Sequence, residues 1–136
     1  MQFFMELPGK EVASKSSALV KKIESGKEIT LNETVLGQQI YARVVEITVL
    51  PNGQDTTYDT GITNAKYAWI DMSDSYIYTR ADPEPGYRTY PILYASATNI
   101  ADSIAIRVEG HGNKVEIMTR GDWTLYSAWV VIKYYK

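Results

Sequence analysis

The chain has 136 residues, with 16 acidic and 14 basic side chains and a net charge of −2 at neutral pH, a length that suits a single domain. It has no cysteine and one histidine, which excludes disulfides, thiolate nucleophiles, iron–sulfur clusters and zinc sites built from cysteines or several histidines. The weak negative charge offers no basic field for nucleic acid or anionic lipid, no apolar run reaches membrane-spanning length, and we expect no signal peptide.

The first 28 residues differ from the rest and are predicted to form a helical anchor segment. Apolar residues recur at helical spacing up to Ile23, Ser14 suits the N-cap, and Gly26 ends the pattern. A helix this short is marginal alone in water, so it must dock on its own domain, a symmetry mate or a larger assembly. The side chains expected to attach the segment to a particle are Phe3, Phe4, Leu7, Leu19 and Ile23.

From about residue 38 onward the apolar residues alternate with a period of two, the pattern of β-strands. Glycine- and proline-containing turns separate the alternating runs. The predicted strands cover 39–50, 56–62, 67–72, 75–79, 88–96, 103–110, 114–119 and 125–136, with Pro91 marking an edge or a bulge. The fold class is therefore all-β: an antiparallel, jelly-roll-like β-sandwich of seven to eight strands over 29–136, with the helical segment before it.

The last predicted strand is apolar on most of both faces. Val130 and Ile132 fall on one face, and Trp129 and Val131 on the other. Such a strand is either central in a sheet or covered by a partner subunit.

No pattern of residues indicates catalysis. Asp71 and Asp74 are predicted to belong to a turn between two strands, since the further oxygen ligands of a calcium loop are missing. His111 lies between two glycines and is predicted to be an exposed turn residue. The sequence identifies no carboxylate pair of the glycosidase type, no phosphate-binding loop and no nucleophile elbow. We therefore expect a protein that is not an enzyme and uses no cofactor or metal.

The eleven tyrosines and three tryptophans, against two phenylalanines, suit half-buried positions with one polar end. The high β-propensity of tyrosine explains the excess equally well. If the protein binds a glycan, an aromatic ring beside a carboxylate on a loop is the local chemistry required. The residues predicted for such a site are Tyr87, Tyr90, Trp123, Tyr126 and Asp122, and a core or interface role remains open for each.

An ordered set of short motifs resembles a β-sandwich module of bacteriophage tail-fibre, baseplate and related appendage proteins. Glu33, followed closely by VLGQQIYARVVE (35–46), resembles the start of the family module. LPNG (50–53) matches the loop that comes next in the family. Gly61-Ile62, the apolar strand at 68–71 and Tyr90-Pro91-Ile92 follow in order, and YSAWVVIKYYK (126–136) resembles the closing strand. The resemblance covers about three-quarters of the chain, from 31 to 136.

The resemblance implies a non-enzymatic virion structural protein, made in the cytoplasm of a bacterial host. It would be a homotrimeric fibre or appendage subunit on the tail or the capsid, as in a tail fibre, head fibre or capsid decoration. Residues 1–28 would bind other virion proteins, and the sandwich would face outward and contact host surface polysaccharide. The alternative is a free, monomeric carbohydrate-binding module. In neither case do we expect nucleic-acid binding or membrane insertion.

Overall fold

A computed structural model of the chain describes residues 24–80 and 88–136. The predicted N-terminal helix and the anchor residues before Glu24 lie outside the described residues, as does Tyr87. The described elements are ten strands and one 3₁₀ turn: β1 (Glu28–Val35), β2 (Gln38–Ile47), β3 (Asp55–Asp59), β4 (Tyr67–Ile70), β5 (Tyr76–Thr79), β6 (Thr89–Tyr90), β7 (Leu93–Tyr94), the turn at Ile100–Asp102, β8 (Ile104–Val108), β9 (Lys114–Thr119) and β10 (Tyr126–Tyr135).

The strands form two antiparallel sheets. The first sheet has the order β1-β2-β10-β5-β6, and β4 also pairs with β10. The second sheet has the order β3-β9-β8-β7. β10 is central: it pairs with β2 from Ala128 to Tyr134 along one edge, and with β5 and then β4 along the other. The Ser75 hydroxyl bridges the gap between β5 and β4, accepting a hydrogen bond from the backbone N–H of Val131 at 2.8 Å.

One hydrophobic core joins the two sheets. Alternate residues of each strand point toward it, as the period of two requires. The first sheet contributes aliphatic side chains from β2, β5 and β10, and the second from β8 and β9. These are Val45, Ile47, Ile77, Val130 and Ile132 from the first sheet, and Ile104, Ile106, Val115 and Ile117 from the second. The prediction of an antiparallel all-β domain is confirmed at this level.

Most predicted strands are confirmed within a few residues, but two differences matter. The strand β1 is absent from the prediction, because EITLNETV is mostly polar. The predicted strand over 88–96 is wrong: it is divided at Pro91 into β6 of the first sheet and β7 of the second. Since proline has no N–H to donate to a ladder, the chain crosses between sheets there, and buried Ile92 enters the core. The described chain thus has ten strands, where seven or eight are predicted.

The start of β1 bears on the predicted boundary between residues 28 and 29. Glu28 is already paired with Arg43 of β2. Its carboxylate also accepts hydrogen bonds from the hydroxyl of Tyr134 and from Lys136 Nζ, the latter at 3.0 Å. Structurally, Glu28 therefore belongs with the strands that follow it.

Candidate functional site

Three of the predicted glycan-binding residues lie together at one end of the core. Tyr90 of β6, Trp123 before β10 and Tyr126 at the start of β10 form a cluster with Tyr94 of β7, here called the ring cluster. The Tyr90 ring centroid lies 5.2 Å from that of Trp123 and 5.5 Å from that of Tyr126, both nearly edge-to-face. The Tyr90–Tyr94 distance is 4.8 Å. Edge-to-face packing is the geometry that aromatic quadrupoles favour.

The ring cluster offers little free aromatic surface. Trp123 is only 4% exposed and belongs to the core, and the three tyrosines are half-buried against it. Burial and the hydrogen bond with Tyr90 raise the pKa of the Tyr126 hydroxyl. Because the ring faces are engaged with one another, the accessible parts of the cluster are tyrosine edges and hydroxyls rather than a stacking platform.

Asp122 is exposed beside this cluster, but its carboxylate already has local partners. Oδ1 accepts hydrogen bonds from the backbone N–H of Thr124 at 2.9 Å and from the Thr124 hydroxyl at 2.6 Å. These bonds lower the pKa of Asp122 and close a turn of the kind aspartate side chains favour. Asp122 thus organises the loop that places Trp123.

The remaining polar residues singled out from the sequence occupy turns, as predicted. Asp71 Oδ1 accepts from the N–H of Ser73 at 3.1 Å and from its hydroxyl at 2.7 Å, in the turn between β4 and β5. His111 is exposed in the hairpin between β8 and β9, with Nδ1 3.3 Å from the carbonyl oxygen of Ala65. Among the described residues, no group of three or more His, Cys, Asp or Glu side chains is arranged to hold a metal ion.

A second aromatic surface lies on the face of the first sheet that points away from the core, here called the outer face. An apolar groove of about 350 Å³, the aromatic groove, opens there. Its walls are rings from β4 and the end of β10 together with the β1–β2 hairpin: Val35, Leu36, Tyr67, Trp69 and Tyr135. The Tyr67 ring centroid lies 6.1 Å from that of Trp69 and 6.4 Å from that of Tyr135. The register of β4 on β10 brings these three rings to one face.

The tip of the β1–β2 hairpin supplies the most exposed side of this groove. Leu36 is 87% exposed, and its φ of 51° lies in the left-handed region, followed by Gly37 at 74°. Two successive positive φ angles make the tight turn whose twist suits a hairpin. Asparagine or glycine usually occupies such a position, and a leucine there has a strained backbone. An exposed apolar residue kept in a strained conformation is typical of a functional surface.

A charged group borders the groove. Lys133, opposite Trp69 in the ladder, has Nζ 3.0 Å from Asp71 Oδ2 and 3.2 Å from Glu33 Oε1. Burial disfavours the charged lysine, but its bonds to the two carboxylates outweigh this and raise the pKa of Lys133. Burial likewise opposes ionisation of Asp71, and hydrogen bonds from Ser73 and Lys133 still lower its pKa. The three charges are satisfied among themselves.

Sequence reasoning missed the aromatic groove. One signal was available in the sequence: Tyr67 and Trp69 are two residues apart on a short strand and therefore point to the same face of the sheet. The pairing of β4 with the second half of β10, which completes the groove, is a long-range contact that periodicity does not report.

No protein-family model, curated protein or solved structure matches this chain. Within the part that the structure describes, no helix is long and apolar enough to span a membrane.

Proposed function

We propose that this protein is a non-enzymatic assembly subunit, a homotrimeric fibre or appendage component of a bacteriophage virion. In this proposal the two sheets are the layers of a jelly-roll-like sandwich, displayed on a tail or capsid and attached through the N-terminal segment. The motif resemblance between residues 31 and 136 supports the virion assignment. The two antiparallel sheets with a shared core are compatible with it.

The aromatic groove is the observation that carries the assembly part of the proposal. Tyr67 is 53% exposed and Leu36 is 87% exposed, and with Trp69 and Tyr135 they form a contiguous apolar surface. Aromatic residues are enriched, and charged residues depleted, at the centre of protein interfaces. The rings of Tyr67, Trp69 and Tyr135 are carried by paired strands. They are therefore already ordered and lose little conformational entropy on binding.

A closed trimer satisfies this surface without leaving it open to further growth. In a cyclic oligomer every subunit uses the same pair of complementary surfaces, so that no apolar groove stays unoccupied. The groove supplies one surface of such a pair. The C-terminal end of β10 lines the groove with Tyr135. The sequence predicts this strand to be central in a sheet or covered by a partner subunit, and β10 is central in the first sheet.

A free, monomeric carbohydrate-binding module is the second candidate. It is favoured by the rings of Tyr67, Trp69 and Tyr135, because sugars stack on accessible aromatic faces. The groove lining argues against it. Among the described lining residues, the two tyrosine hydroxyls and the Trp69 indole N–H are the side-chain hydrogen-bonding groups, and sugar hydroxyls need several such partners. We therefore rank assembly above glycan binding for this surface.

The substitution Tyr67→Asp tests the proposal. A charge at the groove should dissociate the trimer, and sedimentation velocity of the full chain should show a monomer. Leu125→Asp is the matched control and should stay trimeric, because Leu125 is similarly exposed at 59% but lies just before the start of β10, away from the groove. A trimer that survives Tyr67→Asp would contradict the assembly role of the groove. Binding of the unaltered chain to a glycan array as a monomer would support the second candidate.

A further inference from the structure

The outer face carries a second apolar cluster, separate from the core and from the aromatic groove. Val44 of β2 and Val131 of β10 lie opposite each other in the ladder, with Ile29 of β1 and Trp129 packed beside them. We call these four residues the buried patch. Neither valine has any exposed surface.

The described apolar neighbours of the two valines lie beside them on the sheet, not above them. Residues on one face of a sheet stand side by side and shield one another laterally, so full burial requires a layer above them. The second sheet covers the other face of the first sheet, since the core residues of β2 and β10 include Val45 and Val130, which are adjacent in sequence to the patch valines and therefore point to the opposite face. Among the described hydrophobic residues, Ile29 and Trp129 pack against the valine pair, and Ala42 and Lys133 follow it along the same face.

The indole of Trp129 points to the same conclusion. Its Nε1 is buried, and the described residues offer it no hydrogen-bond acceptor. A buried N–H without an acceptor is costly, so a group that covers the patch is expected to bring one. Backbone carbonyls at the C-terminal end of a short helix are free acceptors of this kind.

The chain itself enters beside the patch. The backbone N–H of Gly26 donates to the carbonyl oxygen of Val44 at 2.8 Å, and the N–H of Glu46 donates to the Ser25 hydroxyl at 3.1 Å. Residues 24–26 therefore lie at the edge of the first sheet, level with the patch. The helical pattern from Val12 to Ile23 corresponds to about 18 Å of helix, enough to cross the three strands that carry the patch, which lie about 5 Å apart.

We propose that the segment 12–23 of this chain docks on its own outer face, with Leu19 and Ile23 seated on the buried patch. This goes beyond the proposed function and does not depend on it. It reassigns Leu19 and Ile23 from particle attachment to the subunit itself, and it leaves Phe3, Phe4 and Leu7 for attachment. The aromatic groove is a different part of the outer face, because its rings lie beside Lys133 and Tyr135 of β10, toward the C-terminus from Val131.

The test measures hydrogen exchange of the Trp129 indole N–H in the full chain by NMR, with its resonance assigned through Trp129→Phe. In the unaltered chain we expect slow exchange that is independent of protein concentration. The double variant Leu19→Asp/Ile23→Asp should exchange at least tenfold faster and have a Tm lower by about 5–10 °C. The control Ser14→Asp/Ser17→Asp makes the same change of charge away from the apolar side of the helical pattern and should exchange like the unaltered chain.

A milder variant covers the case in which the double substitution prevents folding. Leu19→Ala adds no charge and should remain folded, with a severalfold rise in indole exchange. Unchanged exchange in a folded Leu19→Ala or double-aspartate variant would overturn the proposal. Protection that appears only as concentration rises would overturn it as well, because a second copy would then cover the patch. Neither outcome bears on the aromatic-groove variant Tyr67→Asp, so the two proposals fail separately.

Discussion

Leu36 is the most informative single residue of the aromatic groove. Its left-handed backbone costs an L-residue with a bulky side chain about 1–2 kcal/mol, and 87% of its surface is exposed. Folding of the subunit alone gains little from a leucine at this position. The presence of leucine here is explained if the side chain contributes to an interface.

We therefore predict opposite effects of Leu36→Asn on folding and on assembly. Asparagine tolerates positive φ, so the free energy of unfolding of the monomer should rise by up to about 1 kcal/mol, measured by urea denaturation at sub-micromolar concentration. Assembly should weaken. Leu125→Asn, at an exposed residue outside the left-handed region, should produce neither effect. A loss of monomer stability in Leu36→Asn would show that leucine is there to stabilise the fold.

The charged group at the groove predicts the pH dependence of folding. Since the folded-state pKa of Asp71 is lowered below its ordinary 3.8, its contribution to stability is present above pH 3.8 and is lost as the pH falls through the lowered value. Asp71→Asn should cost about 1–2 kcal/mol at pH 7 and flatten the loss of stability below pH 4, followed by thermal unfolding at stepped pH.

Asp74 provides the control of opposite sign. Its pKa is raised by burial and by repulsion from Asp71, so ionised Asp74 lowers stability at neutral pH and its protonation restores stability as the pH falls. Asp74→Asn should leave stability at pH 7 equal or higher and make the acid loss steeper. Identical pH profiles for the two variants would contradict this assignment.

Among the elements, β1 matters more than its polar sequence indicates. Glu28 at its start is the hydrogen-bond acceptor for the fully buried Tyr134 of β10 and pairs with Lys136. Burial opposes ionisation of Glu28, but the bonds from Tyr134 and Lys136 outweigh it and lower its pKa. The first and last described strands of the chain are thus tied together across β2.

Removing this acceptor should destabilise the domain. We predict that Glu28→Ala lowers the free energy of unfolding by about 1–3 kcal/mol, because it leaves a buried hydroxyl without its carboxylate partner. Glu33→Ala is the matched control on the same strand: Glu33 is half-exposed, and Lys133 keeps Asp71 as a partner, so the loss should be at most about 0.5 kcal/mol. Equal losses in chemical denaturation would contradict the role given to Glu28.

The same elements show what the sequence could predict. β2, β9 and β10 have clear alternation, so their existence and limits follow from a period of two. β1 is absent from the prediction because its sequence is mostly polar. Pro91 is predicted to mark an edge or a bulge, and local signals do not indicate that the chain crosses to the other sheet there. The aromatic groove joins residues that are about 100 positions apart, Leu36 and Tyr135, and no local pattern carries that pairing.

The predicted binding residues show the same limit at a single loop. Tyr90, Trp123 and Tyr126 were chosen as loop aromatics, and they do come together. The sequence did not reveal that Trp123 turns into the core, since that depends on the turn closed by Asp122 and Thr124.

At the scale of the whole molecule, the surfaces of the first sheet have separate roles. The face toward the second sheet forms the core, the buried patch on the outer face is assigned to residues 12–23 of the same chain, and the aromatic groove is assigned to a neighbouring subunit. Both apolar regions of the outer face are then accounted for. This division predicts a subunit that folds by itself and then assembles.

Light scattering coupled to size exclusion, on the unaltered full chain over a hundredfold range of concentration, tests that division most directly. The account predicts a species of about 46 kDa, three times the 15.3 kDa chain mass, that dissociates to folded monomer on dilution. A folded monomer of 15.3 kDa at every concentration would contradict the trimeric assembly and favour the free carbohydrate-binding module.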